Sequence, residues 1–594
     1  MESTERPRAT CGSLTADDVD ADVELRGWVH RRRDHGGLIF VDIRDRDGIT
    51  QLIFDPVEAG AFATAETLRG EDVIAARGAV RRRPAGTDNA KLGTGQIEVA
   101  VSDLDVLNRS ETPPFVIASD DEFDESIRLR YRYLDLRRAR MQRNLTVRHK
   151  IVKAMRDYFD ARDFLEIETP NLIKSTPEGA RDYLVPSRVH AGTFYALPQS
   201  PQILKQILMI GGIGRYMQIA RCFRDEDPRA DRQPEFTQLD VEMTFVTEDD
   251  VMRVMEGCMR FVWERALGVP VPDPLDRITY AEAMRRYGSD KPDRRFELEL
   301  VDVADVFRES SFELFRTLAH REDSRIAALR YPGGAALSRR EFDALTELAK
   351  GFGANGLAYV TFSADGLKGS VARFLDEPVA GTLRARTGAA DGDALLFIAG
   401  AEALASGVAG RVRLEIGDRL RLRDPRAFAF CWVHGFPLFE RDEESGEITF
   451  SHHPFTAPAP GQEALFNTDP LAVRAQHYDL VLNGFELGSG SIRNHHEAFQ
   501  RKVFRRLGLN DATIDERFGF FMEALRYGAP PHGGMALGVD RIAMLACGET
   551  SIREVIAFPK NQTARDVMMD APSAVPPQAL EDLALRIAPH APAK

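Results

Sequence analysis

The sequence predicts a multidomain α+β protein with an N-terminal β-barrel, a larger domain on an antiparallel sheet, and an α+β domain inserted into the larger one. The chain has 594 residues, several times the roughly 100–200 residues of one domain. Alternating apolar and polar residues, typical of strands, fill 22–107 and return at 215–246 and 478–493. Residues 292–424 separate the last two segments and are richer in Ala, Gly and Arg, which indicates an insertion.

The composition is that of an ordinary globular protein. Lys and Arg number 78 and Asp and Glu 92, a net charge of −14, and 43% of residues are hydrophobic. The longest apolar runs, such as 394–401, are far shorter than the roughly 20 residues that cross a bilayer, and the N-terminus has no apolar signal core. The five cysteines form no C-x-x-C pair, which argues against a thiolate zinc site. We expect a soluble, cytoplasmic protein with no membrane partner.

Positive charge is concentrated in the first quarter of this acidic chain. Residues 128–150 carry nine Lys or Arg and one Asp, and arginine triplets stand at Arg31–Arg33 and Arg81–Arg83. Such runs are either solvated faces or contacts for a polyanion, because phosphate binding needs local positive charge. The sequence leaves both interpretations open.

The strand order at the N-terminus predicts a particular barrel. Residues 1–108 contain three strand-like segments, a short helical piece and two further strands, which is the order of the five-stranded OB barrel that binds single-stranded nucleic acid. Phe40 could offer a stacking surface there, although an aromatic residue on a strand is more often part of the core. An acidic, Pro-containing stretch follows, so 109–145 is interpreted as a hinge.

The remainder divides into four predicted parts. The larger domain comprises 146–291 and 425–560, with the inserted domain 292–424 between them and a Pro-rich C-terminal extension at 561–594. An amphipathic helix is expected from 146 to 164, and the strand-like LEIETP after it ends at Pro170.

A long charged loop joins the two strands expected at 215–224 and 235–246. Between these strands lie Arg224, Asp225, Glu226, Asp227, Arg229, Arg232 and Gln233, followed by Phe236. Arginine binds phosphate and carboxylate groups bidentately, and nearby acidic groups orient it or help to hold a magnesium ion. A structural salt-bridge cluster is the alternative.

Two further clusters carry candidate chemistry. Asp479, Glu486 and Arg493 are spaced by seven residues, so a bulge or bend is needed before their side chains can converge; the two carboxylates would suit Mg²⁺ when substrate phosphates complete its shell. The segment GGMALGVDR at 533–541 enters a helix with Arg541. No G-x-x-x-x-G-K-[ST] loop is present, so ATP would be bound by arginines.

These motifs, taken in order, resemble a known family. LEIETP, GRYMQIARCFRDEDPRADRQPEFTQLDVEM and GGMALGVDRI look like motifs 1, 2 and 3 of the class II aminoacyl-tRNA synthetases. Together with STPEGARDYLVPSR, ALPQSPQILKQ, HHPFTAP and ELGSGSIR, they resemble the bacterial-type aspartyl-tRNA synthetases over nearly the whole chain. The resemblance implies an OB anticodon-binding barrel, a catalytic domain on an antiparallel sheet and an inserted bacterial-type domain.

The resemblance also implies the reaction and its nucleotide site. Aspartate would attack the α-phosphate of ATP to form aspartyl-adenylate, and the aspartyl group would then pass to the tRNA. Arg224 would bridge the α-phosphate and the aspartate carboxylate, and Arg541 would contact the γ-phosphate. The other implied ATP contacts are Asp225, Glu226, Gln233, Phe236 stacked on adenine, Glu486, Gly538, Val539 and Asp540, while Asp479 and Glu486 would hold Mg²⁺.

The implied aspartate site contains cations for a short carboxylate. Lys205 and Arg493 would bind the substrate side chain with help from His452; Ser200, Gln202 and Asp240 would receive its ammonium group, and Glu178 would act from a mobile loop. The chain departs from the family at Ser489, where three consecutive glycines are usual, and we expect this serine to be tolerated.

The implied partners are aspartate, tRNA and a second copy of the chain, with no role for DNA. In the family, motif 1 forms the homodimer interface, and Phe40 and Gln51 occupy anticodon-contacting positions. Family members that charge both tRNA(Asp) and tRNA(Asn) have His and Gly at the positions of His35 and Gly86. Such enzymes require a downstream amidotransferase. The alternatives are a strictly tRNA(Asp)-specific enzyme, an asparagine- or lysine-activating relative, and a non-catalytic RNA-binding paralogue.

Overall fold

The protein forms two compact units. The first contains the chain up to Thr146 together with Arg553–Ala574, and the second contains Val147–Ile552 together with the residues from Val575 onward. The computed structural model describes residues 9–119, 121–176, 179–442 and 446–588.

The first unit begins with a closed five-stranded barrel. Its elements in chain order are β1 (Asp22–His35), β2 (Leu38–Arg44), β3 (Ile49–Phe54), α1 (Ala59–Glu66), β4 (Val73–Arg82) and β5 (Ile97–Asn108). The strands follow one another around the barrel in the order β1-β2-β3-β5-β4. Alternate side chains, among them Val41, Ile43 and Leu52, fill the interior and have no exposed surface. This arrangement confirms the predicted OB barrel.

Part of the basic run at 128–150 lies inside the first unit. The helices over this run are α2 (Glu125–Arg130), α3 (Arg132–Asp135) and α4 (Ala139–Asp160), whose residues from Val147 onward belong to the second unit. Arg128 donates to Asp135 at 3.0 Å and to Glu554 at 2.6 Å, and Arg132 pairs with the same Asp135. Both arginines are buried. The interpretation of this run as a surface for a polyanion is therefore wrong for these two residues.

Helix α4 begins seven residues before the predicted start at 146 and ends at Asp160, four residues before the predicted end. The chain cannot continue as a helix to 164 because Asp163 has a φ of 60°, which lies in the left-handed region.

The second unit contains the predicted antiparallel sheet and its inserted domain. The elements before the insertion are β6 (Leu165–Glu166), β7 (Leu184–Pro186), β8 (Phe194–Ala196), α5 (Gln202–Ile210), β9 (Arg215–Phe223), β10 (Glu235–Thr244), α6 (Glu248–Leu267), β11 (Asp276–Thr279) and α7 (Tyr280–Tyr287).

The inserted domain is built on a five-stranded sheet with an apolar core on each face. Its elements are β12 (Val301–Asp302), α8 (Glu313–Ala319), β13 (Ser324–Tyr331), α9 (Arg339–Gly351), β14 (Ala358–Ser363), β15 (Gly366–Lys368), α10 (Glu377–Thr387), β16 (Ala394–Ala401) and α11 (Glu402–Arg419). Arg413 on α11 is buried and donates to the carbonyls of Asp293, Phe296 and Leu298. These bonds fasten the start of the inserted domain to its longest helix.

The chain then returns to the large sheet. The remaining elements are β17 (Phe430–His434), β18 (Phe439–Arg441), β19 (Ile448–Phe450), α12 (Leu465–Thr468), β20 (His477–Leu482), β21 (Phe485–Ile492), α13 (Glu497–Arg506), α14 (Asp511–Leu525), β22 (His532–Gly538), α15 (Val539–Cys547) and α16 (Pro577–Asp582). Short 3₁₀ helices lie at Ala16–Asp18, Ala304–Phe307, Gly334–Ala336, Ala372–Phe374, Pro470–Ala472 and Ile552–Glu554.

The large sheet has eight strands in the order β11-β17-β20-β21-β22-β10-β9-β6. Its inner strands are antiparallel, whereas β11 and β6 at the two edges run parallel to their neighbours. The two halves of the sequence thus meet in one sheet where β22 pairs with β10. The prediction of an α+β multidomain protein with an antiparallel central sheet is confirmed.

The segment 478–493 is a hairpin and not one bent strand. Asn483 and Gly484 form the turn with φ values of 54° and 89°, a two-residue connection that suits Asn-Gly. The pairing slips by one residue between Leu480 and Val481. The hairpin and this bulge together bring Asp479 and Glu486 to neighbouring positions on adjacent strands.

The predicted strand ending at Pro170 is shorter than expected, because only Leu165–Glu166 is in strand conformation. This strand is the edge of the sheet and pairs on one side only, with β9. Within the described residues, no helix is long and apolar enough to cross a membrane.

Candidate active site

A cavity of about 460 Å³ lies against the large sheet in the second unit. It is lined by side chains from motif-like segments far apart in sequence. The predicted site residues that line it are Ser200, Gln202, Lys205, Arg224, Glu226, Gln233, Phe236, Asp240, His452, Glu486, Arg493, Gly538, Asp540 and Arg541. The structure therefore brings most of the candidates together, whereas Asp225, Asp479 and Val539 lie outside the cavity lining. Glu178 lies outside the described residues.

Glycines let β21 and β22 pass close to their neighbouring strands beside the cavity, and Gly488 lines the cavity itself. A Cβ atom on Gly488 would stand 1.9 Å from the Ala536 carbonyl oxygen, and one on Gly490 would stand 2.3 Å from the ring of Tyr478. A Cβ on Gly534 would stand 2.0 Å from the Val241 carbonyl oxygen. The strands at these positions have room for hydrogen only.

Arg224 and Phe236 face each other across the mouth of the β9–β10 hairpin. The Arg224 guanidinium lies 5.1 Å from the centre of the Phe236 ring, a cation–π arrangement. The Arg224 Nε atom is buried and has no hydrogen-bond partner within the described structure. Buried donors are seldom left unpaired, so this geometry indicates a site for an anionic or otherwise accepting ligand.

One ion pair lies within the β9–β10 loop, and another links this loop to α15. Arg232 contacts Glu226 at 3.1 Å, and Arg541 contacts Asp231 at 3.2 Å. Arg541 also donates to the Glu486 carbonyl, and its Nε atom is buried without a partner among the described residues. The alternative interpretation of this loop as a structural salt-bridge cluster thus holds for part of it. Arg224 and Arg541 nevertheless each have an Nε–H donor with no hydrogen-bond partner among the described residues.

Asp540, implied as an ATP contact, has its carboxylate engaged within the protein. One oxygen accepts from Arg148, and the other accepts from the backbone N–H of Thr237 at 2.8 Å. The side chain therefore joins α15 to α4 and β10. Gly538, which precedes α15, lines the cavity with backbone only.

Four charged side chains form a buried quartet at the inner end of the cavity. Lys205 contacts Asp240 at 3.0 Å and Glu242 at 3.5 Å. Arg493 donates to both oxygens of Glu242, at 2.9 and 3.1 Å. Burial disfavours the charged form of Glu242, but the neighbouring Arg493 and Lys205 charges outweigh it and hold the pKa of this carboxyl below its usual value. Burial also disfavours the charged form of Asp240 and raises the pKa of this carboxyl, against the lowering effect of the Lys205 charge. Two basic and two acidic side chains thus face one another in the quartet.

Glu242 is one functional candidate that sequence reasoning missed. It lies two residues after Asp240 on β10, and residues two apart on a strand point to the same face. That spacing was an available signal. Glu242 pairs with both Lys205 and Arg493, so part of the positive charge expected for the substrate carboxylate is balanced within the protein.

Two polar atoms beside the quartet have no partner in the described part of the chain. They are Asp240 Oδ2, an acceptor, and Gln202 Nε2, a donor, and both are buried. A ligand that offers an ammonium group could satisfy Asp240, and one that offers an oxygen could satisfy Gln202.

Another polar residue, Gln199, exchanges hydrogen bonds with the backbone of Ala180 and holds that loop at the cavity edge.

Three histidines lie along one wall. His453 Nε2 lies 3.0 Å from Arg493, whereas His452, the residue implied for that role, stacks on His477 with ring centres 3.6 Å apart. Burial lowers the pKa of His452 to about 4 and that of His477 to about 3. Both rings are neutral at pH 7.

The two implied metal ligands meet through Ser489. Its hydroxyl lies 2.7 Å from Asp479 Oδ1 and 3.1 Å from Glu486 Oε1. Burial raises the pKa of Asp479 to about 6. Ser489 is accommodated in β21 opposite Asp479, so the departure from three glycines leaves the strand intact.

A second candidate surface lies on the outside of the barrel. Phe40 and Gln51 are on the same face of β2 and β3, since Phe40 pairs with Ile53 and Asp42 with Gln51. A chain of hydrogen bonds crosses this face: Arg33 donates to Asp42 and Gln51, Gln51 donates to Glu98 at 2.8 Å, and Arg81 donates to Glu98 at 3.0 Å. Arg33, Arg81 and Glu98 were not among the predicted site residues.

His35 and Gly86 occupy exposed loops of the barrel. His35 ends β1 before the tight turn Gly36-Gly37. Gly86 has a φ of 85°, and a Cβ there would meet nothing within 4 Å. The space is open, but the backbone conformation favours glycine.

Comparison with known families identifies the class of protein. Residues 124–562 match the family model described as tRNA synthetases class II (D, K and N), and residues 23–107 match the OB-fold nucleic acid binding domain. The first match spans well over half of the chain. The chain belongs to the class II aminoacyl-tRNA synthetases of this family.

Individual relatives within this family are similar to the chain over nearly its whole length. A Moorella thermoacetica protein named aspartate–tRNA(Asp/Asn) ligase is 52% identical over 97% of this chain and 96% of its own length. A Geobacillus kaustophilus protein named aspartate–tRNA ligase is 50% identical over 97% of this chain and 98% of its own length.

Among solved structures, asparaginyl-tRNA synthetase from Pyrococcus horikoshii complexed with asparaginyl-adenylate has a TM-score of 0.59 at 18% identity, covering 93% of this chain and 98% of that one. Aspartyl tRNA synthetase from Entamoeba histolytica has a TM-score of 0.57 at 18% identity, covering 94% and 92%. At this identity the two structures show a shared fold.

Proposed function

We propose that this cytoplasmic enzyme uses ATP to attach L-aspartate to tRNA(Asp) and to tRNA(Asn), through an aspartyl-adenylate. The buried quartet carries this proposal. Lys205 and Arg493 have only N–H donors, so they suit both oxygens of a carboxylate and not the NH₂ group of an asparagine amide. The names of the 50–52% identical relatives support aspartate as the substrate.

The first step needs positioning more than proton transfer, because the aspartate α-carboxylate is already ionised at pH 7. Asp240 Oδ2 and Gln202 would bind the amino-acid backbone atoms, and Lys205 and Arg493 the side chain. Arg224 would then lie between the α-carboxylate and the α-phosphate and stabilise the negative charge that builds up there. The Phe236 ring would stack on adenine. The Nε–H of Arg541, which has no partner among the described residues, would donate to the outer phosphates.

Asp479 and Glu486 fit a divalent cation. Both are oxygen-only ligands, which Mg²⁺ prefers, and within the described residues neither forms an ion pair with Lys or Arg. Mg²⁺ bound there would neutralise phosphate charge on ATP. Glu486 lines the cavity directly.

The second step requires tRNA, and the barrel supports its recognition. The Phe40 ring is half-buried and can stack on an unpaired base. Gln51, Glu98 and the arginines beside them supply donors and acceptors for base edges. An enzyme that also makes Asp-tRNA(Asn) requires a downstream amidotransferase to convert the attached aspartate to asparagine.

The tRNA assignment predicts that transcripts of tRNA(Asp) and tRNA(Asn) are both aspartylated. Side-by-side initial rates give kcat/KM for each transcript. We expect a ratio below a thousandfold, because a small Gly86 and a polar His35 would accept either pyrimidine at the last base of the anticodon, the base that distinguishes the two tRNAs. A gap of more than about a thousandfold, roughly 4 kcal/mol, would contradict charging of tRNA(Asn) while leaving aspartate activation untouched.

The matched variant for this prediction is His35→Leu with Gly86→Lys, which we expect to widen the gap between the two transcripts. Gly86→Asn is the control, because asparagine tolerates a left-handed backbone without adding a long cation. If the double variant leaves the ratio unchanged, His35 and Gly86 do not determine tRNA choice.

We also propose a homodimer. Several large apolar side chains on the edge strand β6 and on the segments that follow it in sequence, through β8, are exposed: Leu165, Leu172, Leu184 and Phe194. We expect sedimentation at twice the monomer mass of 66.3 kDa, and a shift toward monomer for Leu172→Glu, since a buried unpaired charge is costly. Leu404→Glu on the inserted domain, also exposed, is the control and should sediment as the wild type. A wild-type monomer at all concentrations would refute the dimer.

A further inference from the structure

His477 and Ser489 hold the Asp479 carboxylate from one side. His477 Nε2 lies 2.9 Å from Asp479 Oδ1, and Ser489 Oγ lies 2.7 Å from the same oxygen. A neutral imidazole that meets a carboxylate donates its N–H, so Oδ1 accepts two hydrogen bonds. Within the described structure, no hydrogen bond from protein reaches Oδ2.

Ser489 also constrains Glu486. Its oxygen lies 3.1 Å from Glu486 Oε1, but a hydroxyl has one proton and cannot donate to both carboxylates at once. When the proton points to Asp479, the serine lone pairs face Glu486. Two carboxylates are thus held close together around one hydroxyl, an arrangement that a cation would stabilise.

Ring packing fixes the imidazole of His477. It stacks on His452 at 3.6 Å and meets Phe436 edge-on at 5.0 Å. Its Nδ1 atom is buried and has no partner within the described residues. The ring is therefore oriented by its neighbours and by the single bond to Asp479.

We propose that His477 and Ser489 are positioning residues for the divalent cation, an inference that rests on the magnesium site of the proposed function. By occupying Asp479 Oδ1 they direct Oδ2, together with the Glu486 carboxylate, toward the cation. Hydrogen bonds to ligating carboxylates orient them, and their loss typically weakens metal binding by about 10–100-fold.

Mn²⁺ binding to the full-length enzyme tests this directly, by electron paramagnetic resonance in the presence of α,β-methylene-ATP, which cannot form the adenylate. His477→Phe keeps an aromatic ring against His452 but removes the donor, and we expect it to raise the Mn²⁺ dissociation constant about tenfold or more. His477→Gln returns an N–H donor and should recover part of the loss. Binding of the same nucleotide without metal should stay unchanged, which a general disruption of the cavity would not allow.

Ser489→Ala tests the second contact independently, including the case in which the His477 variants do not fold. We expect weaker Mn²⁺ binding with the metal-free nucleotide affinity retained. Unchanged Mn²⁺ affinity in both His477→Phe and Ser489→Ala would overturn the positioning role. Glu486→Gln separates the two proposals: if it binds Mn²⁺ like the wild type, the magnesium site itself is wrong.

Discussion

Arg224→Ala is expected to lower aspartate-dependent ATP–pyrophosphate exchange by about 10²–10³-fold, the loss typical of removing one donor that stabilises developing charge. The fold should be unaffected, because the Arg224 Nε atom has no partner in the described protein to be left unpaired. Exchange measured at saturating ATP and aspartate, with circular dichroism as the check on folding, gives the result. Arg541→Ala is expected to show a comparable loss.

Arg221→Ala is the matched control for Arg224. Arg221 lies on β9, which ends at the residue before Arg224, but its side chain pairs with Glu235 outside the cavity, so exchange should remain close to that of the wild type. Arg224→Lys retains the charge without the planar fork and should stay well below the wild type. Near-normal exchange in Arg224→Ala would remove this residue from the mechanism.

Glu242→Gln is expected to destabilise the second unit and weaken aspartate binding together. It removes the carboxylate that pairs with both Lys205 and Arg493, and breaking a buried ion pair by removing one partner costs about 3–5 kcal/mol. Urea unfolding followed by circular dichroism should show the loss of stability. The KM for aspartate should rise, since Arg493 would no longer be held in place by two hydrogen bonds.

Glu235→Gln provides the comparison on the same strand. Its ion pair with Arg221 is solvent-exposed, and exposed pairs contribute about 0–1 kcal/mol. If the two variants unfolded at the same urea concentration, the quartet would not be a stabilising element of the second unit.

The fold was predictable where local pattern decides it. Alternation over 22–107 predicted the barrel strands, and the motif-like segments predicted the central sheet. The hairpin at Asn483-Gly484 was missed because two strands joined by a two-residue turn have the same alternation as one long strand. The extent of β6 could not be read from LEIETP, because strand length there depends on partner strands that are distant in sequence.

The sequence predicted which residues form the site, but it predicted less well which of them pair with one another. Resemblance placed Lys205, Arg493 and Asp240 at one site. In the structure Lys205 contacts Asp240, and Glu242 joins Lys205 to Arg493. Glu242 was missed because an acidic residue on a strand gives no sign of burial until its cationic partners are known. Likewise, a run of arginines at 128–150 has the same charge whether its members face solvent or, like Arg128, a buried carboxylate.

The crowded glycines of β21 and β22 have an evolutionary consequence. Gly488 in the cavity lining, and Gly490 and Gly534 beside it in the sheet, have no room for a side chain. Single substitutions there therefore cannot change the cavity without moving a strand. A lineage that changes its amino-acid substrate must therefore substitute other residues of the cavity lining, on α5 and around His452 and His453. The glycines of β21 and β22 would stay constant while those lining residues diverge. Sequences that share these glycines therefore need not share a substrate.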